Sequence, residues 1–185
     1  MDTAIHDVDT IRFLLGRDPH GVYAGVSNLV EEHTKGLETP GYEPRGLPGH
    51  ALGYAVADRG GDHERGYLVH YEMRGALWKG HTVDRFSREG KAEILIDFQN
   101  HWSGSDTLIA CHYALPVTLE VYAELLNAAT GFDIDEDYFA LVGERIWNMT
   151  RLFNLREGFT RADDDLPIRV KEERLPDAPV RGQRI

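Results

Sequence analysis

The chain has 185 residues, 42% of them hydrophobic and 10% aromatic, which supplies one sizeable core or two small ones and excludes a disordered chain. A formal net charge of -11 argues against nucleic acid or an anionic membrane as partner. No stretch reaches the ~20 apolar residues that span a bilayer, the first residues carry no signal-peptide pattern, and a lone Cys111 excludes an internal disulfide framework, so the expectation is a cytoplasmic protein.

In chain order, Ile5, Val8, Ile11, Leu14 and Leu15 recur at helical spacing, so residues near 4–15 read as an amphipathic helix. Gly16 and Pro19 end it. A second short helix is expected over 23–32. Residues 36–49, with four glycines and three prolines, read as a long loop. Pro48 suits a first helical turn, so a helix through Ala57 follows, broken by Gly60-Gly61. Residues 67–73 fit a strand or a short helix; periodicity does not decide. A helix over 88–100 places Ile94, Leu95 and Phe98 on one face, with 102–104 as an interruption. A helix over 115–129 has Thr118 as its N-cap and Gly131 as its stop. Asp133 with Glu136 resembles a capping box, and Phe139, Val142, Ile146, Met149 and Phe153 then mark the clearest helix, stopped by Gly158. The tail reads as an extended arm. The sum is a mainly α, multi-helical fold.

Few residues carry chemistry by themselves. Cys111 follows a mostly apolar stretch and reads as a small buried core residue or as an iron–sulfur ligand. Clusters generally take four thiolates, and the chain has one. Asp62-His63-Glu64-Arg65 follows a Gly-Gly turn and reads as a solvated loop or as an aqueous metal site. The remaining histidines show no tight ligand spacing. There is no dinucleotide fingerprint, phosphate-binding loop, His-Glu-x-x-His or nucleophile elbow.

Three blocks change this reading. One is Arg145 to Arg161 (RIWNMTRLFNLREGFTR), followed by Asp163-Asp164-Asp165-Leu166-Pro167. Another is Tyr42 to Ala55 (YEPRGLPGHALGYA), running into Arg59-Gly60-Gly61-Asp62-His63-Glu64-Arg65. The third is Asp106-Thr107-Leu108-Ile109-Ala110-Cys111. In this order they resemble the C-terminal domains of the tungsten-dependent aldehyde:ferredoxin oxidoreductase family. The third block resembles that family's Asp-x-x-Gly-Leu-Cys motif, with Ile109-Ala110 in place of Gly-Leu. The resemblance divides the chain into a poorly matched helical segment 1–34, a family-like helical domain 35–175 and a tail 176–185.

The resemblance implies roles. Cys111 matches the last of four ligands to a 4Fe-4S cluster, whose other three cysteines lie in an upstream motif. Asp106 matches an aspartate that hydrogen-bonds the pterin. His63 matches a catalytic histidine beside the tungsten (or molybdenum) bis-pterin centre, and imidazole suits proton handling near neutral pH. Arg65 matches a basic position near the pterin or its phosphate. At Asp62 the family often has Cys or Ala. Trp147, Leu152, Phe153 and Leu155 are expected to pack, and Asn154 and Arg156 to hold the next loop. Arg45 and Arg59 fall in the same family-like blocks, and for Arg45 the expectation is a salt bridge that anchors its loop.

The expected activity is that of part of an oxidoreductase: oxidation of an aldehyde to a carboxylic acid, with electrons leaving through the cluster to ferredoxin. A separate subunit would carry the cofactor-binding domain and the other three cysteines. The alternative is a non-catalytic helical interaction module or a truncated remnant lacking cofactors. If the family reading holds, Asp62-His63 and Asp106-Cys111 converge on one face, Asp106 is exposed or paired with Arg65, and an open concavity is rimmed by His63, Arg65 and Asp106.

Overall fold

The computed structural model describes residues 33–175, apart from 76, 80, 115 and 116. The helices expected over 4–15 and 23–32 and the tail 176–185 lie outside the described residues. Within them the chain is mainly α-helical, as the apolar spacing requires. A hairpin pairs β1 (His33–Thr34) antiparallel with β2 (Leu37–Glu38). A 3-10 turn at Pro44–Gly46 leads into α1 (Pro48–Val56), so residues 36–49 carry local structure where only a loop was expected. Helix α2 (Val69–Arg74) settles the open choice at 67–73. A second hairpin, β3 (Leu77–Trp78) with β4 (His81–Thr82), precedes α3 (Lys91–Asp106). Then come α4 (Leu119–Thr130), α5 (Glu136–Arg156) and the short α6 (Ile168–Glu172).

Two buried clusters hold these elements. Leu68, Leu95, Phe98 and Trp102 form one, with Leu52, Val56, Tyr71 and Ile94 against it. Ala51, Tyr54, Ala55, Leu166 and Val170 form the other, joining α1 to the C-terminal end. Helix α3 runs unbroken through 102–104, where an interruption was expected. The reason is tertiary: Trp102 and Ser103 are buried, and Gly104 lets α3 approach the carbonyl of Phe139. Packing outweighs the glycine's helix penalty of about 1 kcal/mol. Across the same interface, a Cβ on Gly143 of α5 would lie 1.9 Å from the Asn100 carbonyl oxygen, so the two backbones meet without a side chain between them.

The caps follow the expected chemistry with one shift. Thr118 caps α4 and left-handed Gly131 closes it. Helix α5 is capped by Asp135, whose carboxylate accepts from the Tyr138 amide, and not by Asp133. The Asn127 side chain fixes the loop by pairing both backbone groups of Ile134, which moves the helix start two residues along. Helix α5 ends at Arg156, with Gly158 at φ 99° just beyond.

A buried carboxylate caps α1 from a distance. Glu72 on α2 accepts from the amides of Gly49 (2.8 Å) and His50 (3.0 Å) and from Lys91 Nζ (2.6 Å). The first-turn donors of α1, orphaned by helix geometry, are thereby satisfied.

Candidate functional site

Gly60 and Gly61 place the site loop. At φ 110°, Gly60 brings its backbone so near β1 and β2 that a Cβ would sit 2.5 Å from the Thr34 carbonyl oxygen. This is a contact only glycine permits. The loop is also held from α5: the Asn154 amide donates to the Asp58 carbonyl. Asn154 was expected to hold the following loop; its side chain instead reaches back across the fold.

From this anchor Asp62 enters the interior, 6% exposed. Its carboxylate accepts from the Glu64 amide at 2.9 Å and from Arg59 Nε. It lies 3.9 Å from His63 Nδ1 and 4.0 Å from Arg65 Nε. Arg65 Nε stands 3.4 Å from Asp58 Oδ1, and Arg65 Nη1 stands 3.6 Å from Asp106 Oδ2. Asp106, at the end of α3, is paired again through Oδ1 to His112 Nε2 at 2.6 Å. The His112 ring stacks on Trp102, centroids 4.8 Å apart and 17° from parallel. The hydrogen bond to Asp106 raises the His112 pKa above the ordinary histidine value.

Arg65 thus meets Asp106 at the end of α3, and His63 is linked to the pair through Asp62, although more than forty residues separate them. The pairing of Asp106 with Arg65 matches the expectation. His63 is one-third exposed and rests against Tyr42 and Tyr67, at centroid distances of 5.5 and 5.9 Å. The Tyr67 hydroxyl donates to that of Tyr42 at 3.2 Å. Behind them His50 is 1% exposed, beside the backbone of Gly66. Burial pushes its pKa down to about 3.

Cys111 is exposed, which removes the buried-core reading. It follows a tight turn in which Ile109 adopts φ 56°, and Ile109 is 94% exposed. That backbone region favours glycine, and a β-branched residue there is strained. Among the described residues no group of three or more His, Cys, Asp or Glu is placed to hold a metal, so Asp62 and His63 find no third ligand for an aqueous metal site. A mainly apolar cavity of about 360 Å³ lies between α4 and α5, lined by Thr107, Leu126, Phe132, Ile134, Tyr138 and Val142 among others. It is not the concavity expected at His63, Arg65 and Asp106; its lining reaches only Thr107, beside Asp106.

Sequence reasoning gave no site role to Asp58, Tyr42, Tyr67 or His112. Each joins the site through a tertiary contact or a turn, and no spacing signal marks them.

A sequence profile described as aldehyde ferredoxin oxidoreductase, domains 2 and 3, matches residues 24–185. The chain belongs to this family. It is 40% identical over 153 residues to a tungsten-containing aldehyde ferredoxin oxidoreductase of Pyrococcus furiosus, covering 82% of this chain and 25% of the relative. A protein of the same description from Thermococcus kodakarensis is 39% identical over 150 residues, covering 80% of this chain and 24% of the relative. The chain therefore spans about a quarter of the length of the curated relatives it matches.

The family's cofactors can be tested against these side chains. Cys111 offers an exposed thiol, which fits one ligand of a cluster completed by other segments. Asp106 is about one-third exposed and keeps acceptor capacity beyond its two partners, which fits a hydrogen bond to a pterin. Arg65 fits less simply, because its guanidinium already faces three carboxylates.

Proposed function

We propose that this chain forms the helical wall of an aldehyde-oxidising oxidoreductase, facing a tungsten (or molybdenum) bis-pterin and a 4Fe-4S cluster. The reaction converts an aldehyde and water to a carboxylic acid, two protons and two electrons, and the electrons pass to ferredoxin. The observation that carries the proposal is the contiguous set His63–Asp62–Arg65–Asp106–His112, with exposed Cys111 beside it. Family membership supplies the reaction class.

When bound, the metal–pterin centre supplies the two-electron chemistry. The chain's own residues do the rest. His63 turns Nδ1 toward Asp62, which leaves Nε2 as the nitrogen that takes a substrate proton. The Tyr42 and Tyr67 rings fix the imidazole plane and shield one side from water. Asp106, held by Arg65 and His112, is the acceptor that would hold the pterin. Cys111 supplies one thiolate to the cluster. The remaining three thiolates and the pterin-binding domain come from polypeptide beyond the described residues.

Anaerobic expression with tungstate, together with the coding frames flanking this one, tests the proposal. The purified assembly is expected to carry about four irons for each copy of this chain and to reduce a viologen dye with aldehyde. Cys111→Ser lowers the iron content, whereas His63→Phe keeps iron and tungsten and loses turnover. An assembly that forms stably yet contains neither metal would refute the proposal in favour of a cofactor-free helical module.

A further inference from the structure

Two arginines give the site an anion-binding look that its charges do not support. Four carboxylates, from Asp58, Asp62, Glu64 and Asp106, lie within 4.0 Å of the guanidinium groups of Arg59 and Arg65. Four negative charges against two positive leave an excess of two, or of one when His112 is protonated. Arg65 alone meets three of these carboxylates. Its Nε is buried, and among the described residues it makes no hydrogen bond, so charge and not bond geometry holds it.

Asp62 is central to this arrangement. It is buried and touches Arg59, Arg65, His63 and the Glu64 amide together. An incoming anion would meet donors already neutralised, and the repulsion from Asp62, itself buried, is screened less than that between exposed charges.

We propose that Asp62, the carboxylate that pairs with both guanidinium groups, is a specificity-determining residue that closes Arg59 and Arg65 to anionic ligands. The inference rests on reading this surface as the cofactor- and substrate-facing side. The surface around His63 then selects an uncharged carbonyl compound over a carboxylate or phosphate-bearing one. The anionic groups of any cofactor are held elsewhere than at Arg59 and Arg65. Release of a carboxylate product is favoured for the same reason, since product carries the charge that substrate lacks.

The test uses the full chain without metal and pyrophosphate as the probe, at low ionic strength, with ³¹P line broadening and calorimetry as readouts. Wild type is expected to show no saturable binding that depends on Arg59 or Arg65. Asp62→Ala is expected to bind at least about tenfold more tightly than wild type, and adding Arg59→Ala with Arg65→Ala is expected to abolish the gain. Asp62→Asn keeps an acceptor for the Glu64 amide while losing the charge, so it carries the same expectation should the alanine variant unfold. Binding by wild type that depends on either arginine overturns the proposal. So does the absence of a gain in folded Asp62→Asn, or a gain that survives loss of both Arg59 and Arg65. None of these outcomes depends on metal loading, so the proposed oxidoreductase role stands or falls separately.

Discussion

His50 is buried beside the backbone of Gly66 and wedged against Tyr54 at a centroid distance of 4.4 Å. Its charged form is excluded by burial, and this makes stability depend on pH. The unfolded chain takes a proton on this ring near pH 6.5, while the folded chain does not until about pH 3. Stability is whole above pH 6.5 and declines as pH falls through that window, by about 1.4 kcal/mol per unit. Lowering the pH from 7 to 5 is therefore expected to cost about 2 kcal/mol from this residue. Urea unfolding at both values checks it, and His50→Phe flattens the dependence. His112 has the opposite sign: its raised pKa gives a contribution complete below pH 6.5 and lost as pH rises through the folded value. Ile109 offers a second test at this scale. Its left-handed backbone costs roughly 1–2 kcal/mol, less the entropy that glycine loses on folding. Ile109→Gly is expected to stabilise the chain by about 1 kcal/mol, read as a higher unfolding midpoint.

At the scale of elements, the pairing of α3 with α5 decides the architecture. The Asn100 carbonyl and Gly143 leave no room for a methyl group. Gly143→Ala is expected to push the helices apart and cost about 3 kcal/mol or more, a severe backbone-packing effect; a change below 1 kcal/mol in urea would show that the helices slide at no cost. Helix α5 was legible because one face repeats Phe139, Val142 and Ile146 at helical steps and glycine follows its end. The continuity of α3 was not legible, because Gly104 reads as a breaker until its neighbour Phe139 is known. Helix α6 and the two hairpins are too short for periodicity to reveal. The expectation that Leu152, Phe153 and Leu155 pack also failed: they are 65%, 54% and 46% exposed. The apolar stripe in the second half of α5 continues past the helix that covers its first half.

Across the whole molecule, exposed Met149, Leu152 and Phe153 contrast with Phe139, buried at the other end of the same helix. Leu152→Lys is expected to change unfolding free energy by less than about 0.5 kcal/mol, whereas Phe139→Ala costs about 3–5 kcal/mol. The site was partly legible for a related reason. Family motifs pointed to His63, Arg65, Asp106 and Cys111, each within a recognisable local run. Their partners Asp58 and His112 depend on how the Gly60–Arg65 loop and the end of α3 come together, which no local run encodes. The anchor at Asn154 extends this point. One amide joins the second half of α5 to the Asp58 carbonyl, while Arg151 grips Asp164 with two nitrogens and Lys35 reaches the same carboxylate. The first hairpin, the site loop and the far half of α5 are thus stitched at neighbouring points. In native-state amide exchange they should open as one cooperative unit. The site loop, though it contains two adjacent glycines, would then exchange its protons on the schedule of a long helix.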